Sequence, residues 1–164
     1  SQSITIKSTT SHLIAKDALH HKLLTSDKKF EDSTQTALRH YAKADLMAFQ
    51  NKTDKAIELL NEILKNHKTE TIVDQALFMQ AKLFEKKKEY GKAEANYQTI
   101  IANYKDDILI DDAYYYLAEL YANILNNPER AQFLYEQIIF NHADSIYFVE
   151  ARKKYRRLRG DEVN

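Results

Sequence analysis

The sequence predicts an all-α fold of stacked helix pairs. Three features predict it: a repeat of fixed period, a near absence of helix breakers, and 3.6-residue apolar spacing within each repeat. YAKADLMAFQNKTDKAIELLNEILKNH, MQAKLFEKKKEYGKAEANYQTIIANY and YLAELYANILNNPERAQFLYEQIIFNH align under one another. Ala44, Ala81 and Ala118 share one column, and Ala56, Ala93 and Ala131 share a second. Ile63, Ile100 and Ile138 form a third, and Asn66, Asn103 and Asn141 a fourth. The period is 37 residues, then 37 or 38. Such a period marks a solenoid, because each unit buries its apolar face only against its neighbours. Gly occurs twice and Pro once in 164 residues, so little interrupts helices.

Residues 1–33 read as a flexible lead-in plus one helix. Ser1 to Ser11 is rich in Ser and Thr and has no helical period. From His12 to Leu24, the spacing of Leu13, Ile14, Ala18, Leu19 and Leu23 fits one amphipathic helix, the trailing half of an incomplete upstream repeat. TSDKKFEDST then reads as a loop with helix-starting Ser and Asp. The repeat domain fills 34–164, with repeats near 36–72, 73–109 and 110–146 and a capping helix over 147–160.

Each repeat reads as two helices. In the third, Ala113, Leu117, Leu120 and Ile124 fall on one face. Ala131, Leu134, Tyr135, Ile138 and Ile139 do so on the following helix, and Pro128 suits that helix's first turn. The turns QNKTD and KKEYG are short, so paired helices must run antiparallel. Asp111 and Asp112 suit a helix start, by capping and by the dipole. The two Ala columns let paired backbones approach closely, while Leu60, Tyr97 and Tyr135 fill the groove beside them. In the last helix Ala151 matches Ala113, yet Arg156 stands where Ala118 does. Close approach of another helix is given up there, Gly160 ends the helix, and a polar cap closes the array.

Composition excludes several functions. Lys and Arg number 24, as do Asp and Glu, so no net charge drives the chain toward nucleic acid or membrane. Without Cys there is no disulfide, thiolate nucleophile or Cys-bound metal. No apolar run reaches the roughly 20 residues of a membrane span. No signal peptide is visible, and the first residue is Ser, so the sequence reads as a fragment or a processed form. Six His residues show no ligand spacing, and no HExxH, GxSxG or phosphate-binding Gly loop occurs. Asp106, Asp107, Asp111 and Asp112 lack the spacing and Gly of a calcium loop. The expectation is a non-catalytic chain with no cofactor and no metal.

The columns resemble the tetratricopeptide repeat family, whose helix–turn–helix unit keeps two small residues about twelve apart and an aromatic four later. Ala44 to Ala56 and Ala81 to Ala93 keep twelve, and Ala118 to Ala131 is one longer. The resemblance covers roughly Thr36 to Gly160. NYKDDILIDDAYYYLAELY and NHADSIYFVEARKKYRRLRG are similar to the long-repeat modules of bacterial cell-envelope proteins of this family. Those include the Tol–Pal-associated periplasmic protein and the assembly lipoprotein of the outer-membrane β-barrel machinery. The family's terminal Pro is replaced by Lys68, Lys105 and Ala143, and His67 and His142 replace the aromatic before it.

The resemblance implies a right-handed α-solenoid and a protein or peptide partner in its concave groove. It also implies a place in the periplasm or at the outer membrane, within a larger envelope protein. Its groove-facing positions fall on Leu38, Tyr41, Asp45 and Phe49, then Gln75, Phe78, Lys82 and Lys86, then Asp112, Tyr115, Glu119 and Asn123. Tyr41, Phe78 and Tyr115 share a column, so the family's carboxylate-gripping Lys and Asn are absent there. Rings flanked by charge suit a peptide groove, and equally suit packing against neighbouring helices. In the last helix Arg152, Lys153, Lys154, Arg156, Arg157 and Arg159 accompany one acid, Glu150. Those cations suit a nucleic acid or anionic surface through Arg152, Lys153, Arg156 and Arg157, or a solvated helix end. Self-association through the incomplete N-terminal repeat is a third reading.

Overall fold

The computed structural model of the chain describes residues 28–68 and 71–161. Those residues form seven α-helices and no strand. They are α1 (Lys28–Phe49), α2 (Thr53–Asn66), α3 (Val73–Lys86), α4 (Tyr90–Asn103), α5 (Ile110–Asn123), α6 (Pro128–Asn141) and α7 (Phe148–Arg159). Helices α2 to α6 are each 14 residues long, as a strict repeat requires. The helix expected over His12 to Leu24 lies outside the described residues. The loop expected before residue 34 is helical from Lys28 onward. No Gly or Pro interrupts that stretch, and the Thr36 hydroxyl donates back to the Asp32 carbonyl within the helix at 2.8 Å.

The chain divides into two compact units, residues 1–83 and 84–164. In the first, α2 turns back on α1 after three residues. The Gln80 amide of α3 donates to the Ile57 carbonyl at 3.3 Å and to Asn61 Oδ1 at 2.7 Å. In the second unit, α4 packs on α5, α5 on α6 and α6 on α7.

The aligned columns are the core. All six Ala of the two small columns are 0% exposed. Ile63, Ile100 and Ile138 are as deeply buried, and Leu60, Tyr97 and Tyr135 fill the space beside them. Close packing of this kind makes one extra methylene costly. The apolar face of α5 stops one residue early, however. Ile124, expected inside, is 48% exposed, because it is the C-cap, already leaving the helix cylinder. Asn66, Asn103 and Asn141 are the last residues of their helices.

The turns explain the uneven period. In the first two repeats the chain leaves the helix through one left-handed residue, Asn51 or Lys88, each at φ 62°. The next N–H reaches five residues back: Lys52 to the Met47 carbonyl at 2.8 Å, and Glu89 to the Phe84 carbonyl at 2.8 Å. The third turn has its left-handed residue at Asn126, and the Asn127 N–H reaches six residues back, to the Tyr121 carbonyl at 2.9 Å. One added turn residue thus lengthens the third repeat to 38 and leaves the helices in phase. Asn127 also caps α6, accepting from the Arg130 N–H at 3.2 Å, with Pro128 in the first turn as expected.

The links between repeats reuse one device. Asp107 and Ser145 hold equivalent positions. Each N–H donates to the carbonyl three residues back, Asp107 to Tyr104 and Ser145 to His142. Each side chain accepts from the N–H two residues on, Leu109 at 3.1 Å and Tyr147 at 3.0 Å. His67 and His142 do the work of the aromatics they replace. The His67 ring meets His40 edge-on at 6.1 Å and hydrogen-bonds the Ser33 hydroxyl at 3.0 Å. His142 lies 5.8 Å from the Tyr114 ring.

Candidate functional site

The first helix of each pair carries the expected binding residues, and the two units treat them differently. In the first unit, Tyr41, Asp45 and Phe49 follow one another at four-residue steps along α1, so they share a face. Tyr41 is half-buried. Its hydroxyl pKa is pushed up to about 12, first by burial and then by the negative charges of Asp45 and Asp74. It therefore stays protonated, a hydrogen-bond donor, at any neutral pH. Asp45 is exposed, and beside it Phe49 is 86% exposed and Leu46 also stands out in solvent. On α3, Phe78 is half-buried and the Lys82 ammonium lies 5.9 Å from its ring centroid. Leu38 is half-buried, Lys86 is exposed, and Gln75, expected at the surface, is buried.

In the second unit the equivalent residues hold the terminal helix. The Tyr115 ring stacks on Tyr147, centroids 4.4 Å apart and planes 13° from parallel. Lys154 of α7 brings its ammonium 2.8 Å from both Glu119 carboxylate oxygens and 3.0 Å from the Tyr115 hydroxyl. Glu119 also accepts the hydroxyl proton of Tyr135. Burial disfavours the Lys154 charge, but the bonds to Glu119 and Tyr115 outweigh it and raise its pKa. Asp112 is buried and accepts from the Tyr147 hydroxyl at 2.6 Å, while Asp111 accepts from Ser145 at 2.6 Å. Leu109, not either Asp, is the N-cap of α5, but both acids stand in its first turn, where they suit the dipole, and Asp111 accepts from the Asp112 N–H at 3.0 Å. Both also tie that first turn to the following link. Asn123 is exposed.

Half of the six cations of α7 are paired with acids. Lys154 pairs with Glu119, and Lys153 lies 3.7 Å from Glu150. Arg159 pairs with Asp161 and sits over the Tyr155 ring, and Arg152 sits over Phe148. Arg156 and Arg157 face solvent. Tyr155 packs back on the last pair, donating to Glu136 of α6 at 3.1 Å. Gly160 ends the helix in the left-handed region at φ 95°, where a side chain would be strained.

Two polar clusters escape sequence reasoning. The buried Tyr97 hydroxyl donates to Glu85, and Tyr121 donates to Glu94 while accepting from Gln98 at 3.0 Å and Arg130 at 3.1 Å. The Tyr column at 97 and 135 is visible in the alignment, but the acceptors are not. Glu85 lies twelve residues before its Tyr and Glu119 sixteen, so no fixed spacing announces them. Among the described residues, no group of three or more His, Cys, Asp or Glu is placed to hold a metal ion. No described helix is long and apolar enough to cross a membrane.

No curated protein matches the sequence closely. A family model does, the tetratricopeptide repeat, over residues 37–69, 75–107 and 112–145, together more than half of the chain. Each match begins within a first helix and ends in the link after the second. With its paired Ala columns, its helix–turn–helix units and three consecutive matches, the chain belongs to the tetratricopeptide repeat family.

Proposed function

We propose that this chain is a non-catalytic scaffold that binds a protein partner along the first-helix surface, with the grip in its first unit. Tetratricopeptide repeats generally mediate protein–protein interactions, and the family is one of interaction scaffolds rather than enzymes. The single observation that carries the reading is the exposed run Asp45, Leu46 and Phe49 at the end of α1, with Phe49 86% in solvent. Large apolar side chains beside a fixed charge are what an interface core requires. Tyr41, Phe78 and Lys82 extend the same chemistry: ring area for affinity, charge for register. In the second unit Tyr115 and Glu119 serve the fold first, so a partner there would compete with α7.

The test is a capture experiment from source-cell extract, comparing wild type with a Phe49→Ala/Phe78→Ala double variant of equal helicity. A protein retained by wild type and lost by the variant is the expected result. Equal capture by both would overturn the reading. A place in a larger cell-envelope assembly is supported by the resemblance of the inter-repeat links to those of envelope proteins. Cell fractionation tests it, and recovery with cytosolic markers would remove it.

A further inference from the structure

A second surface lies in the second unit, on other residues than the expected binding residues described above. Helices α4, α5 and α6 enclose an open cavity of about 280 Å³. Its walls are apolar: Ile101 of α4, Leu117 of α5, and Phe133 and Leu134 of α6. Leu117 and Leu134 are buried and form the floor, whereas Phe133 is 58% exposed. A large ring left so far in solvent at the lip of an apolar cavity is a contact waiting for a partner. The volume falls just short of the roughly 300–1,000 Å³ of small-molecule sites, so it suits one or two side chains rather than a cofactor.

One end of the cavity is polar and carries a single charge. Arg130 is the only charged residue lining it. Its guanidinium lies 5.5 Å above the Tyr121 ring, and Nη1 donates to the Tyr121 hydroxyl at 3.1 Å. The counter-charge, Glu94, is not part of the lining. It accepts the Tyr121 hydroxyl proton and stands 3.7 Å from the same Nη1. Tyr121 is saturated, since Gln98 donates to it as well. Among the described residues, Nη2 and Nε of Arg130 have no hydrogen-bond partner, so a planar pair of donors is held in place at the rim. That fork matches a carboxylate.

We propose that this cavity is a docking site for a partner peptide that inserts one large apolar side chain and sets an adjacent Asp or Glu against Arg130. The occupant follows from the charge of the lining and from the volume. The site is separate from the first-helix surface and does not depend on it.

The test uses the full chain, labelled for NMR at its Ile and Leu methyls. It is titrated with blocked pentapeptides of the form Gly-Asp-X-Glu-Gly, with X as Phe, Leu or Met, and with Asn/Gln counterparts. An acidic peptide should move the methyls of Ile101, Leu117 and Leu134 saturably. Its neutral counterpart should bind about tenfold more weakly, as expected for the loss of a charge-assisted bond. Arg130→Gln should erase that difference, and Phe133→Ala should weaken both peptides. Because Phe133 is exposed, its removal leaves the fold intact. No saturable shift from any of the acidic peptides, or equal binding of acidic and neutral forms, would overturn the proposal. So would shifts that depend on protein concentration alone, since the occupant would then be a second copy. Shifts confined to residues near Tyr41, Phe49 and Phe78 would support the first-helix surface and overturn this one. Conversely, a Phe49→Ala/Phe78→Ala chain should titrate here unchanged.

Discussion

Lys154→Met would test whether α7 is held by the groove residues of the third repeat. The ammonium sits 2.8 Å from both Glu119 oxygens, 3.0 Å from the Tyr115 hydroxyl and 5.3 Å from the centroid of that ring. Met keeps the aliphatic stem and its contact with the rings, so the change isolates the charge. The side chains of Lys154 and Glu119 are 27% and 23% exposed, between a surface pair and a buried one. A surface pair contributes about 0–1 kcal/mol, and stripping a partner from a buried pair costs about 3–5 kcal/mol. The partial exposure puts the expected loss at about 1–2 kcal/mol, or roughly 3–6 °C in Tm for a chain of this size. Urea unfolding followed by circular dichroism measures it, with an unchanged m-value showing that the folded state is otherwise the same. Glu119→Gln and the double variant complete a cycle. The double variant should lose less than the sum of the single variants by about 1 kcal/mol. The loss should shrink at high salt, because the pair is not fully shielded from ions. A Lys154→Met loss below about 0.3 kcal/mol, or a coupling of zero within that margin, would refute the reasoning. Tyr115 and Glu119 would then be ornaments of α7 rather than its anchor.

Two further outcomes follow from the turns and from the buried hydroxyls. Lys88 adopts the left-handed region at φ 62°, where an L side chain is strained and Gly is not. Lys88→Gly should therefore raise the urea midpoint by the equivalent of about 0.5–1 kcal/mol, and a lowered midpoint would show that the turn is unstrained. Tyr41, Tyr97, Tyr135 and Tyr147 all have hydroxyl pKa values raised above 10.0, first by burial and then by carboxylates near them. The folded chain thus holds these protons more tightly than the unfolded one. That stabilisation is fully present below pH 10 and is lost as pH climbs toward the folded values. Tyr97, fully buried, contributes a slope of about 1.4 kcal/mol per pH unit above pH 10. Unfolding free energies measured between pH 9 and 12 should show Tyr97→Phe falling less steeply than wild type. Parallel curves would count against the buried hydroxyl.

The repeat architecture was legible because it is written at a fixed period. A buried position with one neighbour in every repeat must meet the same size constraint three times, so the Ala and Ile columns surface on alignment. The helix after the third repeat was legible for the same reason: Ala151 keeps the column of Ala113, while Arg156 breaks the one that Ala118 keeps. The third repeat's extra residue was visible too, though its cause was not. The cause is a helix exit whose N–H reaches six residues back instead of five, and backbone hydrogen bonding leaves no mark on composition.

The sequence by itself determined the helix pairs of the three repeats and the family, since each depends on periodic burial along one chain, but not where the first helix begins. The tertiary structure alone decided which surface residues are spoken for. Tyr41 and Tyr115 look alike in their column, yet Tyr115 is stacked on Tyr147 and bonded to Lys154, 39 residues away. Arg130 and Lys154 look alike as cations, yet one lies over the Tyr121 ring at the rim of an apolar cavity and the other is held by Glu119. Side-chain hydrogen bonds between helices obey no period, because they depend on where rotamers meet across packed faces rather than on the repeat that brought the faces together.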